Sequence, residues 1–62
     1  MLKEQVRYLR IEKKLSQREL AQLAGLHQSQ VSKIEGGSRK VAAEELKKLA
    51  TALGVTVAAL LE

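Results

Sequence analysis

Four polar side chains recur at helical spacing in the middle of this sequence: Gln28, Ser29, Ser32 and Lys33. Residues placed 100° apart around a helix put Val31 and Ile34 on one side and these four across the other. A Gln amide can pair with adenine through two hydrogen bonds, a Lys can donate to guanine, and a Ser hydroxyl can serve either role. The four residues, called the polar edge below, therefore carry the chemistry that reads base edges in a DNA groove.

The same residue types are ordinary on the solvated face of a surface helix, so the neighbouring elements decide between the two interpretations. Ser16 and Glu19 have the spacing of a capping box, in which each side chain satisfies the other's free backbone N–H. The helix that begins there is predicted to run to about Ala24, and Gly25 supplies the freedom that a sharp turn needs. Two short helices joined by a tight turn favour the interpretation that the polar edge reads bases over the interpretation that it is only a solvated helix face.

Helices are the regular secondary structure expected in this chain, because proline is absent and the alternation typical of strands never persists. The apolar spacing predicts five helices, over about residues 2–14, 17–24, 28–35, 43–53 and 57–61. His27 stands at the start of the third helix, where Ser, Thr, Asn or Asp would cap better, and the fourth helix begins without a polar cap. We therefore expect an all-α fold, one domain over residues 1–62, with less secure starts to these two helices.

Composition excludes several classes of protein. The 62 residues include no Cys, so neither a disulfide nor a Cys-ligated metal can stabilise the fold. A chain of this size buries only about 60% of the surface that its unfolded form exposes, so aliphatic packing must supply the stability. No apolar run approaches the ~20 residues that span a bilayer, and the opening Met1-Leu2-Lys3 is not typical of a signal peptide, so we expect none. We expect a soluble, cytoplasmic protein with no membrane partner.

The net charge of +4 is unevenly placed: residues 1–40 hold nine Lys or Arg against four Glu, whereas residues 41–62 hold two against three. A basic front suits a polyanion on one face, although Lys-rich surfaces also keep small helical proteins in solution. The N-terminus of the second helix offers free backbone N–H groups, which attract anions. The candidate phosphate contacts are Ser16, Gln17, Arg18, His27 and a basic loop made of Ser38, Arg39 and Lys40.

Glu35 lies one turn beyond the polar edge, where a carboxylate would repel DNA unless it is neutralised. Arg10 is on the inner edge of the first predicted helix and can reach it. We therefore predict an Arg10–Glu35 ion pair that ties the first helix to the end of the third. Loss of either residue would leave the other as a partly buried charge without a partner, which costs ~3–5 kcal/mol when burial is deep.

Short sequence fragments that together are typical of one family are spread over most of the chain: Leu9-Arg10, Leu15-Ser16-Gln17, Glu19-Leu20-Ala21, Gly25-Leu26, Gln28-Ser29, Val31-Ser32, Ile34-Glu35, Gly37, Leu49-Ala50 and Leu53-Gly54-Val55. In their order and spacing the chain resembles the lambda-repressor-like helix-turn-helix family, also called the Cro/cI or XRE type. The resemblance implies a compact five-helix domain that binds palindromic operators as a homodimer. It also implies base reading by Gln28, Ser29 and Lys33, and phosphate contacts from Gln17 and the basic loop.

The last predicted helix is unusually apolar. Val57, Leu60 and Leu61 cannot all face one small core, so we predict that part of this patch forms a two-fold dimer contact. Ordinary burial with a frayed end is the alternative. A dimer would match half-sites about 34–36 Å apart on a palindromic operator.

An enzyme is not expected, because the sequence has no Cys, no Asp, one His and no glycine-rich phosphate loop. Too few ligands exist for a structural zinc site, and we expect neither a metal nor a cofactor. The favoured function is sequence-specific binding of double-stranded DNA by a transcriptional regulator, more specifically a repressor. The alternative is an antitoxin or another protein-interaction module whose main partner is a protein such as a toxin.

Overall fold

Amphipathic segments of the chain form helices in the computed structural model, which describes residues 2–38 and 40–62. The five helices in these ranges are α1 (Leu2–Glu12), α2 (Gln17–Ala24), α3 (Gln28–Gly36), α4 (Ala43–Leu53) and α5 (Val57–Leu60). No strand occurs in the same ranges, which confirms the all-α prediction. The longest of these helices have eleven residues and are too short to cross a bilayer.

Aliphatic side chains from all five helices share one core. Helix α2 packs against α3 and α4, while α1 contacts α3, α4 and α5. The buried residues of the core are Val6, Leu20, Ala21, Ala24, Val31, Ile34, Leu49, Ala50, Leu53 and Leu60. One side of α3 packs against this core through Val31 and Ile34, and the opposite side of the helix is exposed to solvent or to a partner.

Helix α1 is shorter than the sequence predicts. It ends at Glu12, and Lys14, which was predicted to be helical, has a left-handed backbone with φ 57°. The N–H of Leu15 then donates to the carbonyl of Arg10 at 3.0 Å, which closes the end of the helix. The chain therefore turns toward α2 two residues earlier than the predicted end.

The starts of α3 and α4 lack capping side chains but are closed from within each helix. The N–H of His27 donates to Gln30 Oε1 at 2.8 Å, and the N–H of Ala42 donates to Glu45 Oε1 at 3.0 Å. Both bonds are the second half of a capping box, made by the third residue of the helix. Gln30 Nε2 also donates to Glu45 Oε2 at 3.0 Å, so the two helix starts are linked to each other.

Candidate nucleic-acid interface

Helices α2 and α3 form the predicted helix-turn-helix. The capping box at the start of α2 is complete, with the N–H of Glu19 donating to Ser16 Oγ at 3.0 Å and the N–H of Ser16 donating to Glu19 Oε1 at 2.8 Å. The bond from the Ser16 backbone lowers the pKa of Glu19 below its usual value. The stabilising contribution of the bond to the Glu19 carboxylate is therefore present at neutral pH and is lost as the pH falls through that lowered pKa.

The turn between the two helices is fixed by backbone geometry. Gly25 has a φ of 69°, which a residue with a side chain rarely adopts. The N–H of Leu26 donates to the carbonyl of Ala21 at 2.9 Å, and the Leu26 side chain packs against the core. These contacts set the angle at which α3 leaves α2.

We expect Ser16→Ala to lower the free energy of unfolding by ~1 kcal/mol, because one orphan N–H of α2 loses its acceptor. Urea unfolding followed by circular dichroism measures the change. Ser29→Ala is the matched control, since Ser29 is exposed and caps no helix. Equal unfolding midpoints for the two variants would contradict the assignment of Ser16 as the cap.

The polar edge lies on the exposed surface of α3. Val31 and Ile34 are buried in the core on the other side of the helix. The four residues of the edge are all exposed: Gln28, Ser29, Ser32 and Lys33. The structure thus leaves the donors and acceptors of this edge open to a partner.

The basic loop begins where α3 ends. Gly37 has a φ of 74°, and the N–H of Ser38 donates to the carbonyl of Lys33 at 3.1 Å. Ser38 and Lys40 are exposed just beyond the polar edge, whereas Arg39 lies outside the described residues. The side chains of this loop that the structure describes are free of the core and can meet an anion.

The other candidate phosphate contacts differ in how available they are. Ser16 and Arg18 are exposed at the N-terminus of α2, and His27 is exposed at the start of α3. Gln17 is partly buried, and its Nε2 donates to Glu35 Oε1 at 3.2 Å. One of the two amide N–H groups of Gln17 is therefore already in use.

Arg10 and Glu35 form the ion pair expected from the sequence. Arg10 Nε lies 2.7 Å from Glu35 Oε2 and Arg10 Nη2 lies 3.0 Å from Glu35 Oε1, a two-pronged contact between α1 and α3. The hydrogen bond to Glu35 raises the pKa of Arg10, and Arg10 Nη1 also donates to the carbonyl of Leu15 at 2.8 Å. The pair neutralises the one carboxylate that α3 itself carries.

The predicted dimer contact is only partly at the surface. Leu60 is completely buried in the core, so its assignment to a surface contact is wrong: a side chain inside the domain has no free face. Val57 is partly buried, while Leu61 keeps 57% of its surface exposed. Leu61 and the exposed part of Val57 are the apolar surface that remains available there.

Two links at this surface were missed by reasoning from the sequence, Gln30 with Glu45 and Gln17 with Glu35. The first had a local signal, because each residue is the third of a helix that begins without a capping side chain. The second joins residues 18 positions apart and had no such signal. Among the described residues, no three His, Cys, Asp or Glu side chains come together as metal ligands would.

Comparison with known proteins adds to this geometry. A family model described as helix-turn-helix matches residues 6–60. The restriction-modification controller protein C.AhdI from Aeromonas hydrophila is 42% identical with a TM-score of 0.93, over 95% of this chain and 89% of that chain.

Two further solved structures have the same fold. The hypothetical transcription factor NHTF from Neisseria is 38% identical with a TM-score of 0.93, over 97% of this chain and 67% of that one. The clp gene regulator ClgR from Corynebacterium glutamicum is 33% identical with a TM-score of 0.89, over 97% of this chain and 78% of its own. No sequence among the curated proteins matches the chain.

Proposed function

Because this chain belongs to the lambda-repressor-like, XRE-type helix-turn-helix family, we propose that it regulates transcription by placing α3 in the major groove of DNA. The family and the fold point to DNA binding rather than catalysis. The observation that carries the proposal is the polar edge, exposed on a helix that Val31 and Ile34 hold in the core. A helix fits the major groove, where each base pair presents its own pattern of donors and acceptors.

In this proposal the side chains divide into two groups. The residues that read bases are Gln28, Ser29, Ser32 and Lys33. The residues that contact phosphate are Ser16, Gln17, Arg18, His27, Ser38, Arg39 and Lys40. Phosphate contacts fix the register of the protein on the duplex, whereas contacts to base edges carry the sequence information.

We further propose that the protein acts as a homodimeric repressor on a palindromic operator. The exposed Leu61 and part of Val57 supply an apolar surface at α5. A two-fold contact there would present two copies of α3 to half-sites about 34–36 Å apart. Sedimentation that finds only monomer at high concentration, without DNA, would contradict the dimer.

The likeness to C.AhdI suggests which genes are controlled. That protein is a restriction-modification controller, and this chain matches 89% of its length. We propose the same kind of control here. Genes for a methyltransferase and an endonuclease beside this one would support it, whereas a small toxin-like reading frame would favour the antitoxin alternative.

Selection of binding sites from a random oligonucleotide pool tests DNA recognition directly. Enrichment of one palindromic sequence is the expected result. Affinity for random duplex should also fall steeply with salt, because the logarithm of the binding constant drops with a slope of about −0.9 per neutralised phosphate. A flat salt response would exclude DNA as the partner.

Gln28→Ala and Lys40→Ala should weaken binding in different ways. The first removes a base contact and is expected to cost ~1–3 kcal/mol on the selected operator while relaxing preference at one position. The second should weaken all duplexes alike and make the salt slope shallower by about one. Fluorescence anisotropy on operator and random duplex measures both effects.

Gln22→Ala is the matched control for these two variants, since Gln22 is an exposed glutamine of α2 outside the polar edge. It should bind like the parent. Uniform weakening by both Gln28→Ala and Lys40→Ala would mean that the polar edge does not read bases.

A further inference from the structure

Glu35 accepts a hydrogen bond from Gln17 as well as from Arg10, and Gln17 is one of the residues proposed to contact phosphate. We propose that Glu35 is a positioning residue: its carboxylate holds the Gln17 amide in place to donate to a DNA phosphate. The inference rests on the proposed function, because it needs Gln17 to contact DNA. It adds that the strength of this contact is set by a residue of α3 that does not touch DNA.

The carboxylate of Glu35 is itself firmly held. Its side chain is only 4% exposed, and Arg10 donates one hydrogen bond to each of its two oxygens. Arg10 is in turn fixed by its bond to the carbonyl of Leu15, just before α2. The acceptor that Gln17 meets is therefore held at both of its oxygens by one guanidinium, which is itself anchored to the backbone.

This acceptor determines how the Gln17 amide is oriented. An ionised carboxylate can only accept hydrogen bonds, so the nitrogen of the amide, and not its oxygen, must face Glu35. The bond of 3.2 Å uses one N–H and leaves the second N–H of the same nitrogen as a donor. An unattached Gln would populate several rotamers and both amide orientations.

The position of Gln17 in the helix makes this orientation useful. Gln17 is the first residue of α2, so its own backbone N–H is among those that lack a partner within the helix. Backbone donors at such an end attract phosphate. A side-chain donor that is already fixed beside them loses less conformational freedom when the phosphate arrives, and ligand binding is tighter when that loss is smaller.

Four proteins test the inference: the parent, Gln17→Ala, Glu35→Gln and the double variant. Affinity for a duplex of random sequence is measured by anisotropy, at a temperature where circular dichroism shows each protein to be folded. Glu35→Gln should weaken binding about three- to tenfold, the range expected for ordering one flexible side chain. Gln17→Ala removes the donor itself and should weaken binding at least as much. The double variant should bind no more weakly than the weaker single variant.

Stability distinguishes positioning from a general loss of structure. Glu35→Gln should lower the melting temperature with either Gln or Ala at position 17, because both proteins lose the contact with Arg10. Its effect on DNA affinity should appear only with Gln at position 17. Multiplication of the two affinity losses in the double variant would overturn the inference. So would unchanged binding by Glu35→Gln, or by Gln17→Ala, while the parent keeps its steep salt response.

If the parent protein did not bind duplex DNA at all, that result would contradict the proposed function.

A measurement without DNA tests the inference even if the Glu35→Gln variant does not fold. Nitrogen-15 relaxation of the side-chain amides in the parent should show Gln17 more ordered than the exposed Gln22. Equal mobility of the two amides would overturn the inference.

Discussion

Arg10→Met is expected to lower the free energy of unfolding by ~3–5 kcal/mol, because it leaves the Glu35 carboxylate buried without its charged partner. The side chains of this pair are only 14% and 4% exposed, so water cannot replace the lost contacts in full. Small domains have total stabilities of ~5–15 kcal/mol, so a change of this size removes a large share of the whole. Urea unfolding followed by circular dichroism measures it.

Two further variants separate the buried charge from other effects of the change. Arg7→Met removes an exposed arginine from the same helix and should change stability by less than ~0.5 kcal/mol. Arg10→Met combined with Glu35→Leu removes both charges and should recover much of the loss, as buried pairs replaced by apolar residues often do. Equal stability of Arg10→Met and Arg7→Met would show that the pair does not hold α1 to α3.

Leu60→Ala is expected to cost ~2–5 kcal/mol of unfolding free energy, because it removes a completely buried side chain and leaves a cavity. Leu61→Ser, one residue further on, should leave the unfolding free energy nearly unchanged, since Leu61 is mostly exposed. It should instead weaken self-association. Unfolding at low protein concentration and sedimentation at high concentration measure the two properties separately.

If Leu60→Ala abolished association but left the monomer as stable as the parent, the result would support the dimer contact that the sequence predicted for Leu60. Dimerisation makes stability depend on concentration, so both variants are compared at the same concentrations.

The helices could largely be predicted from the sequence because their signals are local. A capping box, glycines after apolar stretches and 3.6-residue spacing placed both ends of α2 and α4 where the structure has them. The end of α1 was predicted two residues too late, since a left-handed turn is announced by Gly or Asn and here is made by Lys14. No local pattern marks a lysine that adopts this backbone.

Contacts between helices set the limit of prediction at the candidate site. The polar edge lies on one helix, so its spacing alone indicates which residues share a face. The choice between Leu60 and Leu61 depends on how the four-residue helix α5 docks, and Gln5 Nε2 anchors it with a bond of 3.1 Å to the carbonyl of Ala59. The Gln17–Glu35 bond likewise requires the positions of two helices that only the folded chain defines.

The link between Gln30 and Glu45 constrains how the protein can be retargeted to new operators. Gln30 lies among the residues of the polar edge along the chain and has the same chemistry as Gln28, yet both ends of its amide are committed, one to His27 and one to Glu45. A library that randomises α3 should therefore vary positions 28, 29, 32 and 33 and keep position 30 fixed. Diversity introduced at position 30 would loosen the junction of two helices before it altered any preference for DNA.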